Sequence, residues 1–257
     1  MATLVSFHAH PDDECIGCGG VMRKAHEDGH RVVLVVATRG ELGEVPDGFL
    51  DEGEQLWQRR VAETQASADI LGVDRVEFLG YTDSGMMGEP TNTAPGTFWT
   101  ADVEEAAERL AVILREEKAD VLTVYDDHGG YGHPDHIQVH RVGMRAAELV
   151  GTQRVYQGTM NRDLVLASRA ARSDLEAPEL PDNFGTPQSE ITCAVDVSAY
   201  LQHKRKAMRA HASQISEQSF FLALPDDAFQ FAFGVEWFLR DGQGPGITET
   251  DLMAGLT

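Results

Sequence analysis

Four short apolar runs, Leu4–Phe7, Arg31–Ala37, Arg75–Leu79 and Ala119–Tyr125, alternate with segments of helical spacing at Gly19–Glu27, Gln55–Leu71, Asp102–Lys118 and Asp135–Val150. A run such as Val32-Val33-Leu34-Val35-Val36 has no polar side to offer water, so it must be covered on both faces. Parallel strands need crossover connections, and crossover helices supply that cover. The sequence therefore predicts an α/β fold: a mostly parallel sheet with helices on both faces.

The 257 residues suit a single domain able to bury a core without disulfide or metal staples. Residues 1–160 carry the strand and helix rhythm. Residues 161–257 read as a C-terminal lobe and tail: Ser168–Pro187 is polar with three prolines, Ile191–Val197 reads as a strand, Ala199–Ile215 as a helix, and Gly242–Thr257 as a surface tail. The long segments Thr38–Glu54 and Gly80–Ala101, rich in Gly, Pro, Asp and Thr, leave strand ends and are expected to wall a site.

Twenty-one basic residues against 42 acidic ones leave a formal charge of −21, a field that repels phosphate polymers and anionic membranes. Neither nucleic acid nor a membrane is an expected partner. Cys15, Cys18 and Cys193 are an odd set that cannot pair fully, Met1-Ala2-Thr3 leads straight into a strand, and no apolar stretch is long enough to cross a bilayer. A cytoplasmic protein is expected, and a homo-oligomer is left open.

Two chemical clusters stand at the ends of apolar runs: His10-Pro11-Asp12-Asp13-Glu14 follows Leu4–Phe7, and His133-Pro134-Asp135-His136 follows Ala119–Tyr125. In an open α/β sheet the crevice beyond strand C-termini gathers residues distant in sequence. A hydrolytic zinc site takes three N or O ligands and keeps a place for water, and His10, Asp13 and His136 offer such a set. The same donors also suit iron(II) or another divalent ion. Asp12, projecting differently from its neighbour, is the candidate base, while His133 and Tyr131 are candidates to neutralise an oxyanion and protonate a departing amine. Asp135 is expected to orient a histidine, with His133 the favoured partner.

Other features read more plainly. His26, His30 and His203 are expected at solvated positions, and His8 and His140 receive no role. Cys15-Ile16-Gly17-Cys18 has the spacing of a redox dithiol but reads better as small packing residues. Gly17, Gly19 and Gly20 suggest a dinucleotide turn, yet Met22 stands where the third glycine belongs.

Ala9-His10-Pro11-Asp12-Asp13-Glu14 together with Gly129-Gly130-Tyr131-Gly132-His133-Pro134-Asp135-His136 resembles the LmbE-like, or PIG-L, family of zinc-dependent N-deacetylases over residues 4 to 150. The resemblance implies a Rossmann-like fold, zinc on His10, Asp13 and His136, Asp12 as base, and hydrolysis of the N-acetyl group of an N-acetylglucosaminyl conjugate. Within the family the chain is similar to the mycothiol enzymes, which deacetylate N-acetylglucosaminyl-inositol or cleave mycothiol S-conjugates; amino-sugar deacetylases of antibiotic pathways are also related. Gly40–Glu44, Arg60–Glu63 and Asp83–Met86 resemble the sugar-binding segments, which implies that Glu44, Arg60 and Asp83 hydrogen-bond the substrate. Arg209–Ile215 resembles a late segment of the amidase, which implies a place for His211 near the pocket.

Overall fold

The computed structural model describes residues 1–171, 180 and 184–257. The most apolar runs lie innermost. β1 (Thr3–His8), every residue of which is buried, is central. It pairs in parallel with β2 (Arg31–Thr38) on one side and with β4 (Val121–Tyr125) on the other. β3 (Arg75–Tyr81) lies outside β2, and β5 (Arg154–Thr159) outside β4, both parallel. Among the described residues the sheet has seven strands in the order β3-β2-β1-β4-β5-β7-β6. Its last two members, β6 (Cys193–Asp196) and β7 (Val235–Arg240), are antiparallel additions.

Helices cover both faces, as double-sided burial of β1 and β2 requires. α1 (Asp13–Gly17) and α2 (Gly19–Glu27) follow β1, α3 (Leu56–Leu71) precedes β3, and α4 (Val103–Glu117) precedes β4. α5 (Gly129–Gly132) and α6 (Pro134–Val150) follow β4, α7 (Arg162–Ala171) follows β5, and α8 (Leu201–Ala210) and α9 (Asp226–Phe233) lie between β6 and β7. One core, with Met22, Leu71, Val197, Met208 and Phe229, fills the space under α2, α3, α8 and α9. The other, with Phe7, Val35, Leu110, Leu114, Val139 and Val142, lies under α4 and α6. No helix among the described residues is long and apolar enough to cross a membrane.

The expected strands and helices of residues 4–150 are present with ends shifted by a residue or two. β5, β7, α7 and α9 had no distinct signal: Arg154-Val-Tyr-Gln-Gly-Thr is half polar, and β7 buries only alternate residues. Most of the expected segment Ser168–Pro187 lies outside the described residues. The late segment packs through α8 against α3 and α2, and it lengthens the sheet with β6 and β7. The final residues are not a surface tail. Leu252 and Met253 are buried in the first core, the Glu249 carbonyl accepts the Ala194 N–H at 3.0 Å, and Arg154 Nη1 donates to the Ala254 carbonyl at 2.7 Å. Two apolar residues in a polar stretch carry too little periodicity to show this in sequence.

The glycine-rich turn before α2 has a structural use. Glu236 Oε1 and Oε2 accept the N–H groups of Gly20 and Val21, each at 2.8 Å, and Lys204 Nζ pairs with the same carboxylate. A helix N-terminus suited to phosphate is thus already occupied by an internal anion, which removes the dinucleotide reading. A Cβ on Gly20 would fall 2.4 Å from Val197 Cβ, so the glycine is needed for close packing.

Gly143 on α6 makes a comparable approach to the sheet, where a Cβ would lie 2.3 Å from Val124 Cγ1. Alanine ordinarily stabilises a helix interior over glycine by about 0.5–1 kcal/mol, whereas overpacking costs about 1–3 kcal/mol. Gly143→Ala is accordingly expected to lower the melting temperature by a few degrees, and Val124→Ala to offset part of that loss when combined with it. Calorimetry showing a raised melting point for Gly143→Ala would contradict this packing.

Candidate active site

The strand order reverses at β1: β2 and β3 extend to one side, β4 and β5 to the other. The segments leaving β1 and β4 diverge from that point and open a crevice at the carboxyl edge. It holds a pocket of about 220 Å³. Its wall takes His10, Asp12 and Asp13 from beyond β1, Leu42 and Gly43 from beyond β2, Arg60 from α3, Asp83, Gly85 and Met86 from beyond β3, and Tyr131 and His133 from beyond β4.

Asp13 Oδ2 is the meeting point. It accepts the His10 backbone N–H at 2.8 Å and stands 3.4 Å from His10 Nδ1 and 3.3 Å from His136 Nε2. His136 Nε2 is buried and has no hydrogen-bond partner among the described residues. Two imidazole nitrogens and a carboxylate oxygen so gathered form a donor set for a divalent transition-metal ion, and the orphaned nitrogen fits such an ion. Burial works against charge on both His10 and Asp13, yet their mutual contacts prevail. Asp13, Asp135 and Asp83 hold the His10 pKa well above its usual value, and His136 and His10 hold Asp13 well below its own.

The far side of His10 is fixed as well. Asp135 Oδ2 lies 3.1 Å from His10 Nε2, and Asp83 Oδ1 lies 3.5 Å from it. Asp135 in turn accepts the Ser84 N–H at 2.9 Å and the Ser84 hydroxyl. Its carboxylate thus orients His10, not the expected His133. The reason is geometric: at the start of α6 its side chain turns back toward β1 and the loop after β3.

His133 meets Asp135 through the backbone instead. Its Nδ1 accepts the Asp135 N–H at 3.1 Å, so a neutral ring carries its proton on Nε2. Burial, with His10 and His136 nearby, lowers the His133 pKa to about 4, which keeps the ring neutral. Donor atoms of His10, His133 and His136 also lie within 4.8 Å of one another. A ring whose free nitrogen bears the proton is a hydrogen-bond donor, however, and this separates His133 from the other two. Tyr131 stands at the mouth, 43% exposed, with its ring centroid 4.9 Å from that of His136.

Asp12 is held in a rare backbone conformation, φ 98° and ψ −30°. Its Oδ2 lies 3.2 Å from Arg60 Nη2. Burial raises its pKa to about 6; the Arg60 guanidinium pulls the other way and Asp13 adds to the rise. Arg60 is itself buried and also donates to the carbonyls of Pro11 at 2.5 Å and Gly40 at 2.9 Å. It lines the pocket, but its donors are directed mainly at the turn that carries Asp12.

The remaining expected residues separate. Asp83 is buried in the wall, its Oδ1 accepting the Gly85 N–H at 2.9 Å, and His10 helps hold its pKa below the usual value against the effect of burial. Glu44 is exposed outside the lining, and its carbonyl accepts from Gln214 Nε2 at 3.0 Å. His211 does not reach the pocket: it is fully buried, with Nε2 2.6 Å from Glu14 Oε1. The glutamate one residue past Asp13 takes up that ring before any substrate could.

Sequence reasoning missed several supports. Tyr125 stacks on His136, with centroids 4.5 Å apart, and its hydroxyl lies 2.8 Å from His8 Nδ1. Ser84 anchors Asp135, and Glu41 Oε2 accepts the Asp83 N–H at 3.1 Å. Glu41 and Ser84 did fall within the two loops expected to wall the site. Cys15 and Cys18 are buried free thiols, with burial pushing Cys15 up and Cys18 to about 12, so neither has the character of a redox thiol.

Residues 5–147 match the family described as PIG-L, GlcNAc-PI de-N-acetylase. The 1D-myo-inositol 2-acetamido-2-deoxy-alpha-D-glucopyranoside deacetylase of Acidothermus cellulolyticus is 42% identical over 279 residues, an alignment covering 100% of this chain and 96% of the relative. Among solved structures, N,N'-diacetylchitobiose deacetylase from Pyrococcus horikoshii superposes with a TM-score of 0.58 at 23% identity, covering 93% of this chain and 83% of that one. GalB, a 4-carboxy-2-hydroxymuconate hydratase from Pseudomonas putida, does so with 0.62 at 18% identity, covering 95% and 97%. At such identities the two structures speak for the fold alone, and a hydratase beside a deacetylase shows that this fold does not choose the reaction. The match over more than half of its length, and a relative aligned from end to end, establish that the chain belongs to the PIG-L family.

Proposed function

We propose that the protein is a metal-dependent N-deacetylase of an N-acetylglucosaminyl conjugate, with N-acetylglucosaminyl-inositol the first substrate to test. The observation that carries this reading is the convergence of His10 Nδ1, His136 Nε2 and Asp13 Oδ2 between a carboxylate, Asp12, and a neutral donor, His133. The full-length relative named as a deacetylase of that inositol conjugate supports the choice of substrate.

His10, Asp13 and His136 would hold the ion, which we assign as zinc; iron(II) is the competitor the same donors admit. A bound divalent ion supplies Lewis acidity, lowering the pKa of a water and polarising the amide carbonyl. Asp12 accepts the proton of the attacking water. Its raised pKa makes it a stronger base than a solvated aspartate, and Arg60 keeps its carboxylate aimed into the pocket. His133 donates its Nε2–H toward the carbonyl oxygen, and Tyr131 faces the same space from the mouth. The departing amine takes up the proton that Asp12 has removed from the water, which returns the Asp12 carboxylate to its starting state, while neutral His133 keeps its Nε2–H directed at the carbonyl oxygen. Asp83 and Arg60 present polar groups to sugar hydroxyls, and Glu44 is left to contact only a substrate that reaches past the rim. Buried free cysteines fit a reducing cytoplasm.

One observation favours a second reading, an amidase of thiol conjugates. Leu42 and Met86 line the pocket with apolar side chains that are 46% and 49% exposed, a surface suited to an apolar aglycone. Rates on N-acetylglucosaminyl-inositol and on a bulky thioether conjugate, measured side by side, separate the two.

Acetate release from N-acetylglucosaminyl-inositol by metal-loaded protein is the direct test. Asp12→Asn is expected to reduce kcat by about 100-fold or more while the metal is retained, and His136→Ala to lose the metal. Full turnover by either variant would end this assignment. Asp135→Ala is expected to weaken metal affinity by about 10–100-fold through the freed His10 ring, as read by competition with a chelator. Replacing His133 with Ala should lower kcat by about 100-fold with little change in metal content; a variant that instead loses its metal would make His133 a ligand.

A further inference from the structure

Among the described residues, two other than glycine have positive φ, Asp12 and Lys118. Lys118 caps α4 at φ 51° and ψ 51°, an ordinary left-handed helix end. Asp12, at φ 98° and ψ −30°, lies outside that basin, and such a backbone persists only when its surroundings hold it. The hydrogen bonds at its peptide groups show what holds it. Glu14 Oε2 accepts the Asp12 N–H at 2.9 Å, and the Asp12 carbonyl accepts from Cys15 N at 3.2 Å and Cys15 Sγ at 3.0 Å.

Glu14 is fully buried, so its own position depends on donors from elsewhere in the chain. Two reach its other oxygen: the Ser67 hydroxyl from α3 at 2.6 Å, and His211 Nε2, from the turn after α8, at 2.6 Å. Glu63, one turn before Ser67 on α3, binds Ser213 at both N (2.8 Å) and Oγ (2.6 Å), which locks the His211 turn onto α3. A continuous chain of hydrogen bonds, buried at Glu14 and His211, therefore runs from residue 211 to the backbone of residue 12.

We infer that His211 is a positioning residue: through Glu14 it holds the strained Asp12 backbone that aims the Asp12 carboxylate into the pocket. The inference rests on the reading of Asp12 as the base. His211 touches neither the pocket nor the His10, Asp13 and His136 cluster, so its effect falls on turnover and not on substrate or metal binding.

The test combines three variants with kcat, KM and metal content. His211→Leu removes the donor while filling the space, and is expected to lower kcat by about 10–100-fold, with KM within about twofold and metal content as in the parent. His211→Gln restores an N–H near the Nε2 position and is expected to recover most of that loss. In an Asp12→Asn background, His211→Leu is expected to have little further effect on the residual rate, because both changes act on one group. An unchanged kcat in His211→Leu, a loss seen in KM alone, or a loss that multiplies with Asp12→Asn would overturn the inference. Should His211→Leu fail to fold, Ser67→Ala, which takes the other donor from the same oxygen, is expected to lower kcat at constant KM, and an unchanged kcat there would overturn it too. Full activity in Asp12→Asn alone would overturn the underlying reading, and is distinguishable because it involves no change at residue 211.

Discussion

Four carboxylates, Asp12, Asp13, Asp83 and Asp135, crowd the carboxyl edge of β1 and β4, and their mutual repulsion is the constraint around which the site is built. Buried anions persist only when each is matched by a cation or by hydrogen-bond donors. The matching here is individual. Asp12 has Arg60, Asp13 has the His10 N–H and two imidazoles, Asp83 has the Gly85 N–H, and Asp135 has Ser84 and His10. Several of these partners come from distant segments, Arg60 from α3, His136 from α6 and Ser84 from the loop beyond β3, so the sheet, those helices and that loop must all be in place before the four can stand together.

The same economy appears below the pocket. Glu14 on α1 and Glu236, which reaches the start of α2 from β7, are buried anions; the first is satisfied by the Asp12 N–H, the Ser67 hydroxyl and His211, the second by the Gly20 and Val21 N–H groups and Lys204. Both basic residues come from α8 or the turn that ends it. This part of the chain, far in sequence from the motifs, fastens the β1 crossover and closes the phosphate-like site that a glycine-rich turn would otherwise offer.

A deacetylase and a hydratase share the overall architecture, so the chemistry is decided by side chains at the crevice and not by the sheet that makes it. In this chain the decisive contrast is between three imidazoles. His10 has its Nε2 taken by Asp135, His136 has an Nε2 that faces Asp13 with no hydrogen bond among the described residues, and His133 has its Nδ1 taken by a backbone N–H. Identical residue types thus acquire different tasks through which nitrogen remains free.

The parallel sheet, its helices and the convergence of the two clusters were legible in the amino-acid order, because strands buried on both faces and amphipathic helices leave strong periodic signals and ligands follow strands directly. The antiparallel pair β6 and β7 was only half legible, since β7 is buried on alternate positions and so lacks the continuous apolar run of the inner strands. Local sequence also singled out Asp12, Asp13, His10 and His136, whose spacing follows from one turn or one helix start. It could not say that Asp135 serves His10, that Arg60 serves the Asp12 turn, or that His211 lies beneath the pocket on Glu14. Those pairings join residues 48 to 197 positions apart, and only the packing of α3, α6 and α8 against the sheet brings their atoms within hydrogen-bonding distance.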